Sequence, residues 1–231
     1  MASVPLFTIT LALACASLAA TADDLRSAHD RQDRAALDRA VREAAGAAAR
    51  QPKDAGAHFR LAEAESYLAE VDLELRDRAS AKAAAEAGIR AAERAVALQP
   101  AVAEHHRILG TLCGQVIPAQ VVLAFKYGRC ARSSIERALE IDPRSSIAHL
   151  SRGVGNYYLP RAFGGGIELA MRDFRKAVEL DPRSAEAHLW LGIALRKARR
   201  NAEARKEILK SLELNPNRIW ARQQLDKTPA Q

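Results

Sequence analysis

One proline-ended phrase recurs four times in this chain. It reads RAVALQP ending at Pro100, RALEIDP at Pro143, KAVELDP at Pro182 and KSLELNP at Pro216, with a weaker copy, GAAARQP, ending at Pro52. The intervals are 48, 43, 39 and 34 residues. A proline cannot continue the helix before it, and Asp142, Asp181 and Asn215, just ahead of the last three, suit a turn. Self-similarity at such periods marks a stacked array of supersecondary units. Composition decides what the units are made of. Hydrophobic residues are 48% of the chain but aromatics only 5%, and alanine, the best helix former, supplies much of the apolar share. Charged residues, 27%, fall as mixed-sign neighbours, which suits solvated helix faces. An all-α array follows.

A second phrase precedes each of the last four prolines: HFRLA from His58, HRILG from His106, HLSRG from His149 and HLWLG from His188. In the last copy Leu191-Gly192, Ala204, Ile208, Ser211 and Pro216 are spaced without a gap. The chain here resembles the tetratricopeptide repeat family, whose unit is a 34-residue helix–turn–helix. Histidine stands where that family often has tryptophan. The resemblance implies an α-solenoid of about five repeats, approximately 23–54, 55–102, 103–145, 146–184 and 185–218, with 219–231 as a capping helix and tail. Small residues let paired helices approach, and Leu, Ile and Phe fill the gaps between units, which must stack to bury them.

Three repeats are oversized within their own helix pair, by fourteen, nine and five residues. The fourteen in the second copy contain no Pro or Gly and read as two turns added to each helix, with the turn near Arg76–Ser80. The third carries the apolar CGQVIPAQVVLAF and the fourth YYLPRAFGGG. Stacking sets these turns along one edge as a lip bearing Val116, Ile117, Val121, Val122, Phe125, Tyr157, Tyr158 and Phe163. The lip is either a small extra core or a partner surface. Gly164-Gly165-Gly166 reads as a turn, because phosphate-binding glycine loops follow a strand and bring a Lys and a Ser/Thr.

Residues 4–20 carry no charge, and Ala20-Thr21-Ala22 precedes Asp23. The segment is similar to a secretory signal peptide cleaved after Ala22, so an exported, periplasmic protein is expected. Lipid anchoring through Cys15 is not, since the neighbouring leucine is one place out. Cleavage leaves Cys113 and Cys130, which in an oxidising compartment form either a disulfide or two buried thiols. The net charge of +7 suits solubility, and no nucleic-acid partner is expected.

His58, His106, His149 and His188 share one slot in successive repeats and do not converge, so they read as packed residues. No nucleophile elbow, metal-ligand spacing or carboxylate pair in an apolar setting is present. No catalysis, cofactor or metal is expected. The resemblance implies peptide or protein binding in the groove lined by first helices, where the sequence offers Phe59, Tyr67, Arg107, Gln115, Leu150, Tyr157 and Arg196, with Tyr158 and Phe163 on the lip. Lys197, Arg199 and Arg200 read as a solvated face or as a patch for an acidic partner or anionic lipid. The functional expectation is a non-enzymatic scaffold of the cell envelope. Its alternative is a solute-handling accessory of an envelope transporter.

Overall fold

The computed structural model describes residues 23–119 and 122–230. The leader-like segment with Cys15, the lip residue Val121, the side chain of Phe125 and Gln231 lie outside the described residues. Eleven α-helices and no strand are present among those described. They run α1 (23–30), α2 (Arg34–Arg50), α3 (Ala55–Glu74), α4 (Arg78–Leu98), α5 (Ala103–Val116), α6 (Leu123–Ile141), α7 (Ser146–Tyr158), α8 (Ile167–Leu180), α9 (Ala185–Lys197), α10 (Asn201–Leu214) and α11 (Ile219–Asp226). Odd and even helices pair as antiparallel hairpins, and hairpins stack on one another. The fold is a tetratricopeptide-type α-solenoid.

Local chemistry starts and stops each helix. Asp33, Asp54 and Asp77 cap α2, α3 and α4, and Ser145 and Ser184 cap α7 and α9, each side chain accepting a backbone N–H of the first turn. The oversized second hairpin is helical throughout. Its helices have 20 and 21 residues, against 13 and 14 for α9 and α10, a difference equal to the fourteen-residue insertion. The nine extra residues of the third hairpin include a 3-10 turn, Ile117–Ala119. Those of the fourth form a turn closed by a second one, Arg161–Phe163.

Two larger apolar clusters fill the array, one under α1 to α6 and one under α7 to α11. Helices of a pair touch at glycine: a Cβ on Gly110 would stand 2.9 Å from the Ala131 carbonyl oxygen, and one on Gly192 2.9 Å from that of Ala204. Only a residue without a Cβ permits such approach. Beside Gly110, Cys113 and Cys130 are joined as a disulfide between α5 and α6, with Cα atoms 6.0 Å apart.

The repeated histidine closes the turn between hairpins. Nε2 of His58, His106, His149 and His188 lies 3.2, 2.8, 3.1 and 3.2 Å from the carbonyl oxygens of Pro52, Pro100, Pro143 and Pro182. A carbonyl only accepts, so each Nε2 carries hydrogen and donates it. Arg222 takes the same slot in α11 and donates to Pro216. Each proline turn is thus tied to the helix it introduces.

The ends of the array meet. Asn215 donates to Asp30 at 2.9 Å and Gln223 to Gln32 at 3.2 Å. The array coils far enough for the start of α11 to lie against α1 and the end of α3. Among the described residues no helix is long and apolar enough to cross a membrane.

Candidate functional groove

The concave wall is built from the odd-numbered helices, and its centre is aromatic. Tyr157 and Tyr158 end α7 with their rings edge-on to each other at 5.0 Å. Tyr157 packs edge-on against Trp190 of α9 at 5.8 Å, and Trp190 continues the cluster to Phe174 and Trp220. Lys197 stands 4.0 Å above the Tyr157 ring and donates to the Tyr157 carbonyl at 3.0 Å, a cation–π arrangement. Tyr157 is half-buried, whereas 61% of Tyr158 is open. The dense protein around the Tyr158 phenol, with Tyr157, Glu70 and Glu74 adding negative potential, pushes its pKa up to about 12. A side chain in a concavity is both walled in and accessible.

Facing it is a buried ionic cluster. Arg218, at the N-terminus of α11, is fully buried. Its Nε donates to Glu186 at 2.7 Å, and its terminal nitrogens donate to both Glu74 oxygens and to Glu70 at 3.4 Å. Nδ1 of His29 lies 3.4 Å from Asp30, and its Nε2 3.5 Å from Glu70. Burial alone would discharge this imidazole, but the neighbouring Glu70 and Asp30 carboxylates outweigh it and raise its pKa to about 9. His29, Glu70 and Glu74, and likewise His29, Asp30 and Glu186, offer ligand atoms within 4.8 Å of one another. The guanidinium of Arg218 is the cation that sits among these carboxylates.

The expected groove residues divide between wall and interior. Tyr67 packs tilted against His29 at 4.6 Å, Phe59 packs against His105 at 5.4 Å, and Leu150 joins the second apolar cluster. Gln115 donates to the Ser66 carbonyl at 3.1 Å and accepts from the Ser66 hydroxyl. Two arginines depart from the expectation. Arg107 is 6% exposed and donates to Glu104 at 2.7 Å. Arg196 is folded under α11, donating to the Gln224 carbonyl at 2.9 Å, its Oε1 at 2.7 Å and the Thr228 hydroxyl at 3.2 Å. Arg107 is thus buried against its own helix, and the Arg196 guanidinium is engaged by α11 and the tail.

The lip divides as well. Val116 is buried in the first cluster and Ile117 packs on it, while Val122 and Phe163 are exposed. The glycine run is a turn. The amides of Gly164, Gly165 and Gly166 donate to the carbonyls of Arg161, Pro160 and Asn156, leaving none for an anion. Gly164 and Gly166 take φ of 83° and 121°, and a Cβ on Gly165 would collide with Leu159. Arg199 is exposed, and Arg200 pairs with Glu203.

Trp190, Trp220, His29 and Arg218 had no signal in the repeat pattern. The tryptophans occupy slots that periodicity gives to core, and the ionic cluster joins residues up to 148 positions apart.

Comparison with known proteins agrees with this architecture. Residues 10–159 match the family described as regulator of microtubule dynamics protein 1-3, and residues 163–219 match the tetratricopeptide repeat. The chain belongs to the regulator of microtubule dynamics protein 1-3 family, and its C-terminal part is tetratricopeptide repeat. Among solved structures it is similar to TTC0263, a thermophilic tetratricopeptide protein of Thermus thermophilus. That match has a TM-score of 0.61 at 20% identity and covers 90% of this chain and 97% of that one. It is also similar to PilF of Pseudomonas aeruginosa, with a TM-score of 0.47 at 20% identity over 72% of this chain and 66% of the other. No curated protein matches the chain.

Proposed function

We propose that this protein is a non-enzymatic scaffold of the cell envelope that holds a protein or peptide segment in its concave groove. The observation that carries the reading is Tyr158, an aromatic side chain left 61% open at the centre of a concave wall and backed by Trp190. An amphipathic ring so placed supplies contact area and a hydrogen-bonding tip at little entropic cost. Exposed aromatic surface in a concave wall favours a segment that brings apolar side chains. The tetratricopeptide-repeat match over residues 163–219 supports a binding role. The envelope assignment is supported by the uncharged N-terminal segment ending Ala20-Thr21-Ala22 and by the disulfide, which persists in oxidising compartments.

One fractionation experiment tests both halves. The protein is recovered from the soluble envelope fraction, its N-terminus is sequenced, and its bound proteins are captured and identified. Asp23 is the expected first residue; an intact residue 1–22 segment in that fraction rejects export. Tyr158→Ala is expected to weaken capture at least tenfold, the cost of losing an interface anchor, with unchanged melting. Undiminished capture by that variant removes the groove from the reading.

A further inference from the structure

We infer that a cleft in the second hairpin is a binding site for a short aliphatic diamine. The cleft has a volume of about 280 Å³ and opens between α3 and α4, beside Arg34 at the start of α2. Apart from Arg34, every residue lining it falls between Ala62 and Gly88, the stretch enlarged by the fourteen extra residues. The insertion therefore builds it. On α3 its residues are Glu65, Leu68 and Asp72, which share the helix face turned away from Tyr67 and Glu70. The cleft is thus distinct from the aromatic groove.

Two carboxylates of this cleft lack the partners that buried charge requires. Glu65 is 8% exposed and has no hydrogen bond or ion pair among the described residues. Asp72 is 1% exposed; one oxygen accepts from Arg34 Nε at 2.7 Å, and the other, Oδ2, has no partner. Burial pushes the Glu65 carboxyl up to about 7, with Arg90 opposing the rise and Asp38 adding to it. Burial raises Asp72 as well, against the pull of Arg34. The other charges that reach the pair are Asp38, Asp77, Arg34 and Arg90, so four carboxyls face two guanidinium groups. An excess of negative charge is left for a cation to meet.

The shape of that cation follows from the spacing. Glu65 and Asp72 are seven residues apart, about 10 Å along the helix. Leu68 lies between them, and Ala84 and Ala87 of α4 complete an apolar middle. Anionic ends around an apolar middle match a ligand with an ammonium at each end of a short alkyl chain. One ammonium donates to Glu65 and the other to Asp72 Oδ2, while the methylenes lie on Leu68 and the alanines. A metal ion does not fit, because carboxylates two turns apart cannot both ligate it. A lysine side chain brings one ammonium only and leaves Asp72 Oδ2 without a partner.

The test is calorimetric titration of the full chain with 1,4-diaminobutane, set against magnesium ion and against butylamine, which presents what a lysine side chain presents. Saturable binding of the diamine is expected, about tenfold or more tighter than butylamine. Glu65 is part protonated near pH 7, and an ammonium beside it lowers its pKa. Binding therefore releases a proton to the buffer and tightens from about pH 6 to pH 8. Glu65→Gln is expected to weaken binding about tenfold or more and to remove the proton release. Its melting midpoint is expected to be no lower than wild type, because the carboxylate has no partner to lose. Ala87→Leu fills the cleft and is expected to abolish binding with both carboxylates in place; if circular dichroism shows it unfolded, Glu65→Gln decides alone. Absence of saturable diamine binding overturns the proposal, as does an affinity matched by butylamine or magnesium. So does undiminished binding by Glu65→Gln.

Discussion

Arg199 holds a backbone conformation that most residues avoid. It sits just past α9 at φ 61°, and Arg76 occupies the matching place past α3 at φ 67°. In both turns the following amide reaches back to close the helix end, Arg200 to Leu195 at 2.9 Å and Asp77 to Asp72 at 2.8 Å. Glycine is the usual residue at such a left-handed cap, because a side chain there costs about 1–2 kcal/mol. Glycine's greater freedom in the unfolded chain offsets about half of that gain. Arg199→Gly is therefore expected to raise stability by about 0.5–1 kcal/mol, read as a higher urea midpoint at an unchanged slope. A lower midpoint contradicts the left-handed assignment.

At the scale of helices, the decisive contacts are the small-residue crossings within each pair. A Cβ on Gly192 would lie 2.5 Å from Ile208 Cγ1, 2.9 Å from the Ala204 carbonyl oxygen and 3.2 Å from the Ile208 nitrogen. Two of these atoms are backbone and cannot swing away. Gly192→Leu must push α10 off α9, so a loss of about 3 kcal/mol or more is expected, seen as a melting midpoint roughly 10 °C lower. An unshifted midpoint contradicts the crossing at Gly192. These elements were legible in the sequence because repetition displays them several times over. The proline phrase marks each boundary, and the absence of Pro and Gly in the second insertion marks longer helices. The groove was legible only in part. Tyr158 and Phe163 stood out as aromatics in a turn, but the burial of Arg107 depends on Glu104 one turn away, and that of Arg196 on a tail with no repeat signal. The histidine bond to the proline carbonyl six residues earlier was present in the spacing of every copy. Reading it required knowing that the ring turns back over the turn.

At the scale of the whole chain, an array whose units touch only their neighbours would unfold piecemeal, but here the ends are clasped by Arg218, Glu70, Glu74 and Glu186. His29 adds a charge to the clasp that responds to pH. It packs tilted against Tyr67 and faces Asp30, Glu70 and Arg218, with a folded pKa of about 9 against 6.5 for the free side chain. The folded state therefore holds a proton that the unfolded chain has released. Its stabilisation is complete below pH 6.5 and is lost as pH rises through 9, on the order of 3 kcal/mol in all. Urea unfolding of the wild type should weaken steadily from pH 6.5 to 9.5, by no more than about 1.4 kcal/mol per pH unit for one proton. His29→Gln should be less stable than wild type at pH 6.5 and nearly level across the same range, so that the two curves converge at the alkaline end. Parallel curves mean that His29 is uncharged in the fold. Arg218→Met supplies the complementary measurement, because it leaves three carboxylates facing one another without their guanidinium. A loss of about 3–5 kcal/mol is expected, with faster hydrogen exchange in α1 and α11 than in the disulfide-linked α5 and α6. Uniform acceleration along the chain means that the clasp is not what ties the ends together.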